Sequence, residues 1–219
     1  MGFVKLAATA LALGSVALAS PVQVEPRAAA AKVCDAATTV CWSEYVTPEK
    51  IVFRVAIPDT ATAGSFDSLL QIVAPKAVGW AGLAWGGVMT NNPLAVAWAT
   101  ATTGIVSSRK ASSRSYPAVS TDVVYTVLPG SGANATHWTV TAVAKGASAW
   151  GTTKLDPAST AVKVAYAQAA SGPTDPTKAD SRFPIHQSRG SFTFDFAAAK
   201  NANFAALVEK LSKPAVKAV

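Results

Sequence analysis

The sequence predicts an antiparallel β-sandwich with one short helix at its C-terminal end. Three observations carry this: many short runs of period-two hydrophobicity, turn-forming residues clustered between them, and one late segment with helical spacing. Ile51, Phe53, Val55 and Ile57 alternate with Val52, Arg54 and Ala56, the mark of a half-buried strand. Similar runs follow at residues 68–73, 78–85, 94–99, 122–128, 137–143, 161–167 and 191–196. Gly, Pro, Asn and Ser separate them, as in Pro129-Gly130-Ser131-Gly132 and Ser171-Gly172-Pro173. After the last run, Phe204, Leu207, Val208 and Leu211 share a helical face, and Pro214 ends it. No internal repeat, heptad array or long linker is visible. One domain is therefore expected from about residue 33 to about residue 212, with a tail at 213–219.

Composition excludes several function classes. Among 219 residues, 50% are hydrophobic, 14% are charged and the net charge is +7. So few charges with this apolar content exclude a disordered chain. Two cysteines cannot build a disulfide-dense scaffold, and two histidines leave no His/Cys cluster for tetrahedral zinc. No apolar run is long enough to span a bilayer. Lys5, the apolar segment Leu6 to Leu18 and the Ala17-Leu18-Ala19 cleavage signal predict a secretory signal peptide at residues 1–19. Its removal leaves a basic chain of about +6. Residues 20–32 lack amphipathic period and read as a leader or propeptide, with Arg27 a candidate processing site. In a secreted chain, Cys34 and Cys41 are expected to form a disulfide, since the C-x-x-C spacing of a redox pair is absent.

Few motifs carry chemistry. Gly130-Ser131-Gly132-Ala133-Asn134-Ala135 matches the dinucleotide fingerprint in form, but no βαβ unit surrounds it, so it reads as a turn. No nucleophile elbow and no P-loop is present, and the twelve carboxylates are scattered singly. Asn134-Ala135-Thr136 is a glycosylation sequon in an expected loop. The basic residues form no stripe with interleaved aromatics, which argues against nucleic acid. Two places stand out: the glycine-rich stretch from Val78 to Asn92 that contains Met89, and the Arg182 to Gly190 segment that contains His186. Glycines inside a strand mark close approach of a ligand or another backbone. Taken alone, Met89 reads as a core filler and His186 as a solvated loop residue.

The stretch Gly79 to Trp98, followed by Ile105-Val106-Ser107-Ser108, resembles the cytochrome domain of fungal cellobiose dehydrogenase. The similarity continues through Asn134-Ala135-Thr136-His137-Trp138, then His186, Gly190, Phe192, Phe194-Asp195-Phe196 and Ala202-Asn203-Phe204, in order over about 170 residues. The resemblance places the chain with the extracellular b-type haem iron-reductase domains and implies an immunoglobulin-like, DOMON-like sandwich. It implies one haem b with axial ligands at Met89 and His186, bound without covalent attachment because C-x-x-C-H is missing. It also implies that His137 is a strand residue beside Trp138 and not a ligand. The family carries an aromatic-Thr-Gly-Tyr segment after the position of Ser108. This chain instead reads Arg109-Lys110-Ala111-Ser112-Ser113-Arg114-Ser115-Tyr116, leaving Tyr116 or Arg114 for a haem propionate.

The resemblance further implies a secreted, monomeric electron-transfer protein. Its donor would be an extracellular flavin or quinone sugar dehydrogenase, and its acceptor a copper-dependent lytic polysaccharide monooxygenase or ferric iron, in a lignocellulose-degrading setting. No flavin domain or cellulose-binding module follows Val219, so a stand-alone haem domain is expected. Arg109, Lys110 and Arg114 are expected to form a positive rim that favours acidic partners. Two other readings stand beside it. One is a haem-binding module for sensing or storage; the other is a haem-free adhesion or carbohydrate-binding sandwich that uses exposed tryptophans as sugar platforms.

Overall fold

The computed structural model describes residues 30–214. The signal peptide, Arg27 and the tail beyond residue 214 lie outside the described residues. In chain order the first strands are β1 (Ala31–Cys34), β2 (Cys41–Val46), β3 (Val52–Pro58), β4 (Ser68–Pro75), β5 (Trp80–Ala84) and β6 (Pro93–Ala99). Then come β7 (Gly104–Lys110), β8 (Ala118–Val119), β9 (Val124–Val127), β10 (Gly132–Ala133), β11 (His137–Lys145), β12 (Ala149–Trp150) and β13 (Thr153–Lys154). The chain finishes with β14 (Val162–Ala169), β15 (Ser188–Phe194), β16 (Lys200–Asn201) and the helix α1 (Phe204–Leu211). No helix among the described residues is long and apolar enough to cross a membrane.

Two sheets form the sandwich. The first has the order β1-β2-β3-β4-β11-β10, with β9 also on β11 and β16 parallel to β3. The second runs β15-β14-β5-β6-β7-β8 and is antiparallel throughout. Alternation places Phe53, Val55, Ile57, Leu70, Ile72 and Val140 of the first sheet against Ala81, Leu83, Ala95, Ala97, Val164 and Phe194 of the second. This is the shared core, and its burial is the main source of stability.

β3 is buried on both faces, not on one. Ala56 on its outer side joins Trp42, Leu69 and Val143 in a second apolar cluster, and Phe204 of α1 closes it with Leu207, Val208 and Leu211 at its edge. The helical stripe read from the sequence therefore caps a sheet face that alternation alone assigned to solvent. Phe204→Ala is expected to cost about 3 kcal/mol, a cavity plus lost transfer energy. A urea titration would show it as a lower midpoint at unchanged slope.

Cys34 and Cys41 are disulfide-bonded and directly opposed in the β1–β2 ladder. The Asp35 carboxylate accepts the N–H groups of Ala37 and Thr38 at 2.9 Å each, so the Thr38 amide above all holds its pKa below the usual value. Ala31 and Lys32, within the segment read as a leader, are already paired in β1.

Candidate functional site

The second sheet carries apolar residues on its outer face as well as its inner one. Trp80, Ala84, Leu94, Val96, Trp98 and Ala169 form a third buried cluster there, with Ile105, Ala165 and Ala167 packed at its border. Ladder register sets them in rows. Ala167 opposes Gly82, which opposes Val96, which opposes Ser107. One row along, Ala165 opposes Ala84, then Leu94, then Arg109. The four central positions are Gly82, Ala84, Ala165 and Ala167. Side chains this small leave a flat floor, with Trp80, Trp98, Leu94 and Val96 as taller neighbours. Ala165 and Ala167 remain half-buried, so the floor is open to a ligand.

Met89 and His186 stand at opposite ends of this floor. Met89 lies in the Trp85–Asn92 connection that leaves β5 beyond Ala84, and it packs on the outer cluster. Asn92 shapes that connection: its Nδ2 donates to the carbonyls of Val88 and Thr90, and its Oδ1 accepts the Trp150 Nε1–H at 2.9 Å. A methyl group at Gly86 would strike the Asn92 side chain, and Gly87 has φ +82°. Gly86, Gly87 and Asn92 are thus one device that holds Met89 in place. His186 precedes β15 at the other end, where Ser188 opposes Gln168 and Ala169 opposes Trp80. The two levels, Ala84 and Trp80, are four residues apart, roughly 13 Å along the strand.

The segment that brings His186 there arches over the same face as a lid from Ala170 to Gln187. Trp98 Nε1 donates to the Pro176 carbonyl at 2.9 Å, and the Ser107 hydroxyl donates to the Ala179 carbonyl. Phe183 then lies against Trp80 with ring centroids 5.0 Å apart, and its N–H donates to the Tyr116 hydroxyl at 3.1 Å. Gln187 returns the chain to the sheet by accepting the Ala170 N–H on Oε1 and donating its own N–H to the Gln168 carbonyl. From the turn between β2 and β3, the Glu49 carboxylate accepts the Ser188 hydroxyl beside β15's start. Burial raises the Glu49 pKa, but the hydroxyl and backbone donors outweigh it and leave the group below its usual value. Burial, together with the facing Glu49 charge, pushes the Tyr166 phenol up to about 12.

Trp80 Nε1 is buried in this cluster without a hydrogen-bond partner. A buried orphan donor beside a floor of small residues, with Met89 packed at one end and the segment carrying His186 arriving at the other, fits a flat ligand that brings its own metal.

The expected positive rim needs correction. Arg109 is 2% exposed and turned into the protein, because β7 continues through Ser107 to Lys110 where the sequence reading had no strand. Lys110 pairs with Asp122 at 2.6 Å. Arg114 is exposed in the loop before β8. The exposed cations on the outer face are instead Lys163 and Arg189, by alternation in β14 and β15, and Arg182, whose guanidinium sits 4.7 Å from the Tyr116 ring centre. Tyr116 is 40% exposed, with its hydroxyl committed to the lid.

His137 opens β11 in the other sheet, its Nδ1 2.9 Å from the Thr136 hydroxyl. Asn134 is exposed in the preceding turn, with Oδ1 accepting the N–H groups of Thr136 and His137. All six tryptophans are at most 8% exposed, so the sugar-platform reading has no exposed tryptophan to work with. Sequence reasoning missed the floor alanines and the lid tethers. The signal was present in Ala165, Ala167 and Ala169, a period-two row of small residues on the side of β14 away from the core.

Comparison with known structures agrees with this architecture. The cytochrome b domain of pyranose dehydrogenase from Coprinopsis cinerea superimposes with a TM-score of 0.77 at 21% identity, covering 85% of this chain and 97% of that one. The cytochrome domain of Myriococcum thermophilum cellobiose dehydrogenase gives 0.72 at 20% identity, covering 87% and 100%. At such identities these likenesses speak for the fold. The family model for the cytochrome domain of cellobiose dehydrogenase matches residues 33–206, which includes the floor, the Met89 connection and the lid. The chain therefore belongs to the family of cytochrome domains of cellobiose dehydrogenase, which bind haem b and transfer electrons.

Proposed function

We propose that this protein is a secreted one-electron carrier that holds haem b on the outer face of its second sheet, with Met89 and His186 as axial ligands. The observation that supports it is their placement at the two ends of the small-residue floor. When bound, haem b supplies a one-electron iron couple. The chain's residues do the rest. Gly82, Ala84, Ala165 and Ala167 give a flat apolar seat, while Leu94, Val96, Trp80 and Phe183 exclude water from it. Met89 and His186 would hold its iron and leave no place for dioxygen or substrate at the metal, and thioether-imidazole ligation would favour the reduced state more than two imidazoles do. Glu49, through Ser188, and Gln187 fix the backbone on which His186 sits. Tyr116 and Arg114 are the residues available for the propionates, Arg114 with the freer side chain.

The donor we propose is an extracellular flavin or quinone sugar dehydrogenase. The acceptor is a copper-dependent lytic polysaccharide monooxygenase or ferric iron, in the latter case as an iron reductase. Lys163, Arg182 and Arg189 make the outer face attractive to acidic partners. Cleavage of the signal peptide and a glycan on Asn134 belong to the same secreted reading.

The test is an optical spectrum of the secreted protein, oxidised and reduced. A reducible, six-coordinate, low-spin b-haem spectrum is expected, and absence of any haem band after supplying haem would overturn the reading. Ala167→Phe places a ring on the floor from a half-exposed position, so the sandwich should fold with unchanged far-UV dichroism yet bind haem at least about tenfold more weakly. Unaltered haem affinity in that variant would move the site elsewhere.

A further inference from the structure

Arg109 is a buried cation with no carboxylate partner among the described residues. Nε donates to the Ser107 hydroxyl at 2.6 Å, Nη1 to the Pro117 carbonyl at 3.3 Å, and Nη2 to the carbonyls of Ser181 at 2.7 Å and Ala179 at 3.3 Å. Its guanidinium carbon stands 5.3 Å from the Phe183 ring centre and 5.8 Å from that of Tyr116. A charge taken out of water with only neutral partners is costly to keep, so its retention calls for a role. Lid attachment alone would not require it, since neutral donors can hold backbone carbonyls. The ladder places its backbone beside the floor: Arg109 opposes Leu94, which opposes Ala84, so the Arg109 and Ala84 Cα atoms are two strand spacings, roughly 10 Å, apart.

We propose that Arg109 is a positioning residue with an electrostatic role, tying the lid to β7 and laying a fixed positive charge beside the haem seat, which raises the reduction potential. This rests on the proposed haem site. The oxidised iron carries one more positive charge than the reduced iron, so a fixed cation nearby disfavours oxidation. At charge separations of roughly 10–15 Å and an effective dielectric near 20, one unit charge shifts a one-electron equilibrium on the order of tenfold. Because Arg109 is shielded from solvent, this contribution persists at high ionic strength, unlike that of the exposed Lys163 or Arg189.

Spectroelectrochemical titration of the haem-loaded protein tests the proposal. Arg109→Gln keeps donors for the lid carbonyls but removes the charge, and should lower the potential by about 59 mV, the equivalent of tenfold for one electron. Arg109→Lys keeps the charge and loses the fork, and should stay near wild type in potential while hydrogen exchange over residues 174–183 speeds up. Equal potential losses in both variants would mean a purely structural role and overturn the electrostatic one, as would an unchanged potential in Arg109→Gln. Val119 is exposed and directly opposes Arg109 in the ladder, so Val119→Glu supplies the test if Arg109→Gln fails to fold. A carboxylate there should lower the potential at low ionic strength, and no change under those conditions would again overturn the proposal. If wild-type protein takes up no haem, it is the haem-site reading that fails, a result separate from all of these.

Discussion

His186→Ala is expected to leave a folded sandwich that no longer retains haem, with affinity down at least about a hundredfold. Loss of a group that merely orients a ligand already costs about 10–100-fold at a metal site, and the imidazole is the stronger ligand of this pair. His186 is in a lid segment and half-buried, and it makes no hydrogen bond or ion pair among the described residues, so its loss leaves no core cavity. Met89→Ala should keep haem but turn the spectrum five-coordinate or water-ligated and lower the potential. His137→Ala is the control, since His137 opens β11 in the other sheet with its ring beside the Thr136 hydroxyl, and its ferrous spectrum should match wild type. Wild-type low-spin spectra in both Met89→Ala and His186→Ala would remove the ligand assignment.

Gly79→Ala is expected to be the most damaging single-methyl change near the site. An added Cβ would lie 2.5 Å from the Ala170 carbonyl oxygen and closer still to Ser171 and Gly172 backbone atoms, none of which can rotate away. Relief requires the start of the lid to lift from β5, with loss of the Gly79 N–H bond to the Ala169 carbonyl. We expect about 3 kcal/mol of destabilisation, or roughly 10 °C in melting temperature for a domain of this size. Gly130→Ala isolates the backbone term: its φ is +83° and nothing lies within 4 Å of its added Cβ, so only the left-handed penalty of about 1–2 kcal/mol applies. Equal costs in the two variants would show that the close approach at Gly79 has no energetic weight.

The strands that the sequence announces are those rich in apolar residues with clear turns around them. β3, β4, β6 and β11 all lie where period-two alternation places them. β7 was illegible because Ser107 and Arg109 hold its outward positions, and polar residues there look like a loop until the lid supplies their partners. The same reasoning misplaced Arg109 on a rim. Charge predicts exposure, and only tertiary structure reveals three carbonyls collected from two separate segments of chain. Met89 and His186 came from family resemblance, since nothing in their spacing of 97 positions links them. Their common face follows from β14 and β5 being neighbours in space though 78 residues separate Ala84 from Val162. The floor was legible in principle but hidden by convention, because a row of alanines reads as weak core instead of as room for something else.

The lid is hung almost wholly by its main chain: the oxygens of Pro176, Ala179 and Ser181 are the hooks, and Trp98, Ser107 and Arg109 are the hands that hold them. Carbonyls are common to every amino acid, so substitutions at Thr177, Lys178, Ala179 or Asp180 leave the hooks intact. Evolutionary drift and laboratory selection can therefore rewrite the outward character of this strap without refitting the cleft beneath it. Those four positions are where a library should be placed to redirect the protein toward a new partner, with the tethering side chains held constant.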